Sequence, residues 1–227
     1  MLNISKILTF LILIFLSTPS ISHVQHYENL KRIEFDIYRN NKHIGKHIFS
    51  FKKSDGQLSV ESEINFEIKK LGIVLYKYHV KGVELYKDGK LIKFNSNTEQ
   101  NGKTKYVNLN LNNGEYFIDG SSYKGKAPTE FLLGTWWNHS IVKAPAQISA
   151  VSGRIIKQKV TFLGKENIKI GDKIYNALHF NFSSSNDKLN KNKKLNTDVW
   201  YDEKSLNWLK ASFNKKGKWI YKLISLE

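Results

Sequence analysis

Two sets of residues in this chain have types and spacing that could do chemistry. The first is Asp198-Val199-Trp200-Tyr201-Asp202. On a strand, residues i and i+4 share a face, so two carboxylates would flank the indole of Trp200, an arrangement suited to sugar binding or acid-base hydrolysis. A structural role competes and is preferred: Trp200 packs inward or at a barrel mouth, and the aspartates serve the adjoining turn Asp202-Glu203-Lys204. The second set is the histidines. His43 and His47 lie across a turn or on one strand face, His79 sits among tyrosines, His139 follows two tryptophans, and His179 is on the polar face of its strand. No such pair falls on an expected helix and no thiol accompanies them, so the pattern points to scattered histidines and implies neither metal nor cofactor. A sharper copper site, the amine and imidazole of a newly exposed His23 with His26 nearby, would arise only after cleavage at Ser22. No Ser stands in G-x-S-x-G, no glycine-rich phosphate loop follows a strand, and no nucleophile has an evident base partner. An enzyme is therefore not the favoured class, and no catalytic residue is assigned.

The elements that would position these groups are strands. Ile33, Phe35 and Ile37 alternate with Arg32, Glu34 and Asp36; Val60, Ile64, Phe66 and Ile68 alternate with Ser59, Glu61, Glu63 and Glu67. Period two of this kind marks half-buried strands. Tyr76, Tyr78 and Val80 are in one phase and Val83 and Leu85 in the other, which predicts a β-bulge near Lys81-Gly82. Leu178, Phe180 and Phe182 share a face, and further strands are expected over Ile155 to Leu163 and Glu166 to Ile170. Polar turn signals recur about every ten residues, implying an all-β antiparallel meander of roughly ten to twelve strands, a curved sheet or open barrel.

One stretch, Ala127 to Ala150, reads as neither strand nor ordinary loop. It contains Pro128, the apolar run Phe131-Leu132-Leu133-Gly134, and Thr135-Trp136-Trp137-Asn138-His139. Adjacent indoles cannot share a strand face and carry too much apolar area to leave in water, so at least one is expected to plug the space the strands enclose. The resulting expectation is a ligand-binding concave face lined by Phe66, Tyr76, Tyr78, Phe180 and Trp200 and stoppered by Trp136 and Trp137.

Composition narrows the partners. The formal net charge is +16, yet only Arg32, Arg39 and Arg154 are arginines. Phosphate recognition favours the bidentate guanidinium, so a nucleic-acid partner is not expected, whereas attraction to an anionic envelope surface is. There is no cysteine, so stability must come from packing rather than disulfides. Residues 1–22 have the parts of a secretory signal: Lys6, an apolar run from Ile7 to Leu16, and small residues at Ser20-Ile21-Ser22. The run is too short to span a bilayer. The expected product is a periplasmic protein, not integral to the membrane, with one β-rich domain over 23–227.

Phe35-Asp36-Ile37-Tyr38 with Ile44-Gly45, Leu71-Gly72-Ile73-Val74-Leu75-Tyr76-Lys77-Tyr78, Thr135-Trp136-Trp137-Asn138 and Asp198-Val199-Trp200-Tyr201-Asp202 together resemble the bacterial family catalogued as domain of unknown function 6134. The opening strand pair and the closing strand are more distantly similar to domain of unknown function 3108. The resemblance implies an exported β-rich domain and no activity. The lysine-rich loop Ser184 to Asn196 looks like an insertion relative to that pattern. The function expected is a non-enzymatic binding or carrier domain for an apolar or lipid-like ligand; the alternatives are a structural envelope module binding anionic polymer or a protein, and a hydrolase using Asp198 or Asp202. Export itself is checked by N-terminal sequencing of the protein from its own cell, which should read from His23; a retained Met1 in membrane-bound protein would refute it.

Overall fold

The computed structural model describes Tyr27, residues 29–190 and residues 193–227; the expected leader and the candidate copper site at His23 and His26 lie outside them. Fifteen strands among the described residues join in one sheet. They are β1 (Arg32–Arg39), β2 (Lys42–Ser54), β3 (Gln57–Lys70), β4 (Ile73–Lys87), β5 (Lys90–Gln100), β6 (Lys103–Asn112), β7 (Glu115–Gly120), β8 (Lys124–Pro128), β9 (Leu132–Leu133), β10 (Ala146–Ile148), β11 (Ile155–Ile170), β12 (Lys173–Ser184), β13 (Asn196–Asp202), β14 (Trp208–Asn214) and β15 (Lys218–Leu226). The spatial order runs from β8 down to β1, then from β15 down to β9. The chain thus starts mid-sheet, meanders to one edge, and returns from the other edge to lie beside its own beginning.

Six successive hairpins, β1–β2 to β6–β7, turn on two residues that both have positive φ: Asn40-Asn41, Asp55-Gly56, Leu71-Gly72, Asp88-Gly89, Asn101-Gly102 and Asn113-Gly114. This conformation matches the right-handed twist of the strands and favours Asn, Asp and Gly. Leu71 is the exception.

The two sheet edges are joined by only residues 129–131, between Pro128 of β8 and Leu132 of β9, a link that reaches about 14 Å at most. The sheet must therefore bend until its edges nearly meet, yet no ladder joins β8 to β9 among the described residues. It is a curved sheet rather than a closed barrel. The strand number exceeds the sequence expectation because β9 and β10 fall within the stretch read as a plug and β8 runs into its start. In compensation, the two strands expected over Ile155 to Ile170 are one, with Leu163 taken up in a bulge between Phe162 and Gly164.

Ile33, Phe35, Ile37, Phe49 and Val60 are fully buried on the concave side, as their periodicity requires. The expected slip at Lys81-Gly82 does not occur. Register with β3 is unbroken from Gln57↔Lys87 to Ile68↔Tyr76, so Val80, Gly82, Glu84 and Tyr86 all face inward and Val83 faces out. Hydrophobicity misplaced the phase because one inward position holds a carboxylate. Gly82 leaves room for the ring of Phe94, whose Cε2 would stand 3.2 Å from an added Cβ.

β9 and β10 are parallel, so the chain between them must return the length of the sheet, and it does so through the concave side. There Trp137 is fully buried, with edge-on contacts to Tyr27, Phe51 and Tyr86 at ring-centroid distances of 5.2, 5.3 and 5.6 Å. Trp137→Ala should cost about 3–5 kcal/mol, because the surrounding strands cannot collapse into so large a void; urea unfolding of the two proteins measures it, and a loss below about 1 kcal/mol would show that the indole is not a core anchor.

Candidate functional site

The crossing segment, residues 134–145, is largely withdrawn from water and irregular apart from one short helix, so its inward polar groups need partners supplied by the sheet. The Gly134 N–H donates to the Ile148 carbonyl at 2.9 Å. Trp136 then adopts φ 62°, a left-handed conformation that costs a bulky residue on the order of 1–3 kcal/mol. The kink sends the adjacent indoles to opposite walls. Trp136 meets Trp208 of β14 edge-on at 5.7 Å, and its carbonyl accepts from the Tyr201 hydroxyl of β13 at 3.0 Å. Trp137 points at β4. Asn138 caps a short 3-10 helix, His139–Lys143, by accepting from the Ser140 N–H. The His139 N–H donates to the Tyr27 hydroxyl at 3.0 Å, and that hydroxyl donates to the Leu206 carbonyl. The carbonyls of Ile141 in the helix and of Ala144 just after it accept from the buried side chain of Gln158 on β11.

At the centre stands Glu84, fully buried on β4. Its Oε1 accepts from the Trp137 indole N–H at 2.9 Å and its Oε2 from the Tyr86 hydroxyl at 2.5 Å. Loss of water pushes its pKa up to about 6, and hydrogen bonds from Tyr86, Trp137 and Thr135 partly oppose the rise. The charge of Glu84, after burial itself, helps raise the Tyr86 and Tyr116 hydroxyls, the latter to about 12. Sequence reasoning missed Glu84. Its signal was the acidic residue one position from Val83 in a strand whose inner phase is otherwise set by Val80 and Tyr86.

Beside this carboxylate is a partly open cavity of about 290 Å3. It lies between the β4–β5 and β6–β7 turns and the crossing segment, with Tyr86, Leu91, Leu111, Tyr116, Leu132 and Asn138 in its wall. None of the seven residues proposed from sequence for ligand binding lines it. Phe66, Tyr76 and Tyr78 instead stack on one another near the far end of β3 and β4, with Phe66–Tyr78 at 4.8 Å and Phe66–Trp219 at 5.3 Å. Opposite Phe66 on β2, Gly45 allows the close approach of the two strands, since a Cβ there would fall 2.0 Å from the Asn65 carbonyl oxygen and 2.5 Å from the Phe66 Cβ. Phe180 packs against His139 and Tyr201 on the concave side.

Trp200 does not share that concave side. It pairs with His179 and Lys210, whereas the inward residues of β13 are Thr197, Val199 and Tyr201. On the convex face its indole is sandwiched between the His179 ring and the Lys210 ammonium, each 4.1 Å away, and its N–H donates to Glu166. The phase of the strand was ambiguous because β13 carries large aromatics on both faces. Asp198 accepts from Asn181 at 2.9 Å, and Asp202 accepts from the backbone and hydroxyl of Ser205, the turn role expected of it.

The histidines divide between the two faces. His43 and His79 pair with Asp36 and Glu63 outside. His47 is buried among Phe35, Phe49, Trp208 and Tyr221, where desolvation lowers its pKa to about 3. A bulge after Ile37 puts His43 and His47 on opposite faces despite their spacing. Among the described residues no group of three or more metal-ligating side chains converges.

The class so defined is an all-β domain in which a curved antiparallel meander encloses its own crossover, with a buried carboxylate and a small cavity at one mouth. Residues 35–224 match the family model described as Domain of unknown function (DUF6134), and the chain belongs to that family. The match does not extend to domain of unknown function 3108. No curated protein matches the chain.

Glu84 gives the site a measurable pH signature. With the folded pKa near 6 and an unfolded value near 4.3, its contribution is fully present below about pH 4 and is lost as pH rises through about 6, by about 2 kcal/mol. Surface carboxylates such as Glu34, lowered by hydrogen bonds from Lys46 and Arg32, act in the opposite sense, so the comparison must be with Glu84→Gln. The stability difference between wild type and Glu84→Gln, measured by urea unfolding from pH 4 to 7, should shift by about 2 kcal/mol against wild type with rising pH. Parallel profiles would show that folding does not raise the pKa of Glu84.

Proposed function

We propose that this protein is an exported periplasmic domain that binds a small apolar or lipid-like ligand without transforming it. The observation that carries the reading is the cavity of about 290 Å3 against the crossing segment. Its wall combines Leu91, Leu111 and Leu132 with the tyrosines Tyr86 and Tyr116, the mixture of apolar surface and a few polar groups usual in small-molecule sites. The volume lies at the lower limit of such sites, about 300–1,000 Å3, so it suits a small molecule or one end of a hydrocarbon chain rather than a whole lipid. Export rests on the leader features of residues 1–22.

The interlocked rings around Trp137 favour a second reading, in which the fold is a structural envelope module and the cavity is only a packing defect. The hydrolase alternative draws no support from Asp198 and Asp202, which face the convex side and have local hydrogen-bond partners of their own.

Native mass spectrometry of the protein purified from its own envelope separates the two readings. A bound apolar species should be present, and Leu111→Trp, which fills the cavity from one wall, should reduce its occupancy at least about tenfold. Absence of any adduct, or equal occupancy in the variant, favours the structural module.

A further inference from the structure

The β3–β4 hairpin outruns its neighbours. Pairing with β2 stops at Gly45↔Phe66 and pairing with β5 stops at Tyr78↔Gln100, while β3 and β4 pair on to Lys70↔Ile73. Past the bond from the Asn101 N–H to the Lys77 carbonyl, residues 67–76 therefore stand as a two-stranded projection, reaching about 13 Å beyond the sheet. Its tip is apolar and in water: Leu71 is 92% exposed, Ile73 66%, Val74 46% and Leu75 54%. Leu71 also occupies the first position of a turn in which the five other hairpins of the same kind place Asn or Asp. A leucine gains nothing there from the fold. It adopts a left-handed conformation that its side chain disfavours and leaves that side chain in solvent. Local rules broken without compensation within the structure are a mark of function.

Charge indicates what covers this tip. Lys69 and Lys70 flank the tip opposite Val74 and Ile73, Lys77 lies at the base, and the only carboxylate among residues 67–77, Glu67, pairs with Lys69 at 2.9 Å. Strand alternation puts the turns β1–β2, β5–β6, β12–β13 and β14–β15 at this same end of the sheet. The β5–β6 turn supplies Lys103 and Lys105, and the β14–β15 turn supplies Lys215, Lys216 and Lys218. These turns converge, since the positive charges of Arg154, Lys105 and Lys216, after burial itself, help lower the pKa of Lys215. At the opposite end cations alternate with acids, as in Lys87-Asp88-Gly89-Lys90 and Asp202-Glu203-Lys204. An apolar tip ringed by lysines, on the basic end of a molecule of net charge +16, has the form of an element that enters an anionic lipid interface.

We propose that the β3–β4 tip docks this protein on an anionic bilayer, with Leu71, Ile73, Val74 and Leu75 at the headgroup–acyl boundary and the surrounding lysines on lipid phosphates. The cavity beside Glu84 lies at the other end of the sheet, so the docked molecule holds it toward the aqueous phase. The proposal is independent of the ligand reading.

The absence of cysteine makes a unique label possible. The protein as exported by its own cell, carrying Leu71→Cys and an environment-sensitive dye, is mixed with vesicles of phosphatidylcholine alone or with about 30% phosphatidylglycerol, the anionic lipid creating the surface potential that attracts lysines. The projecting β11–β12 hairpin, whose turn is Gly171-Asp172, provides the control as Asp172→Cys at the opposite end. Dye emission should shift to the blue at position 71 only, with the anionic vesicles only, and reversibly with salt. In unlabelled protein, Leu71→Ser with Ile73→Ser leaves the net charge unchanged and should weaken vesicle binding at least about tenfold. Binding within about twofold of wild type in that variant would reduce the effect to diffuse attraction of a basic protein and overturn the proposal. So would equal shifts at both labels, no shift with either vesicle, or a shift that appears without lipid as protein concentration rises, which would assign the tip to a second copy of the chain.

Discussion

A chain segment that crosses the inside of a sheet gives up water for every N–H and C=O it carries, and the sheet must supply the replacements. That constraint organises this protein. Glu84, Tyr201, Tyr27 and Gln158 reach the crossing segment from separate parts of the chain, and in doing so they tie the first meander, β1 to β8, to the second, β9 to β15. The β1–β15 ladder joins the two halves within the sheet, and because no ladder closes β8 on β9, the crossover adds a second tie between them through the interior. The bond between Glu84 and Trp137 is the most exacting member of the set, because a fully buried carboxylate is tolerated only where donors surround it.

The same bond makes the interior responsive. The carboxylate carries the indole of the crossover on one oxygen and the hydroxyl of Tyr86 on the other, and Tyr86 is also part of the cavity wall. Anything that displaces Tyr86 alters the hydrogen bonding of Glu84 and therefore the seat of Trp137. The kink at Trp136 adds a second store of strain in the same segment. Ligand cavity, titratable group and strained backbone are thus adjacent at one mouth of the sheet, while the exposed Leu71 tip and a cluster of lysines lie at the other.

Much of the fold was legible in the residues. Asn-Gly and Asp-Gly turns carry the left-handed geometry of two-residue hairpins in their own chemistry, and Ile33, Phe35 and Ile37 declare the buried face by alternation alone. Two adjacent tryptophans announced that one must be buried, because no strand can hide both on one side. The resemblance to a family of β-rich domains agreed with the match over residues 35–224. The site was less legible. Phe66, Tyr76, Tyr78 and Phe180 do face inward, but they consume their surface on each other and on Trp219, His139 and Tyr201, and a sequence does not show which apolar residues satisfy one another.

What the sequence determined by itself was therefore local: strand period, turn type, the apolar excess of Ala127 to Ala150, and the basic balance of the whole chain. Only the tertiary structure decided that Glu84 faces inward, that Trp200 faces outward, and that the cations of distant turns share one end with the Leu71 tip. The physical reason is that each of these depends on register between strands far apart in the chain. A strand shows its two faces equally in sequence, and the choice between them is made by the summed packing of its neighbours. A buried carboxylate is the extreme case: its own hydrophobicity argues for the outer face, and the indole N–H that overrules it comes from fifty-three residues away.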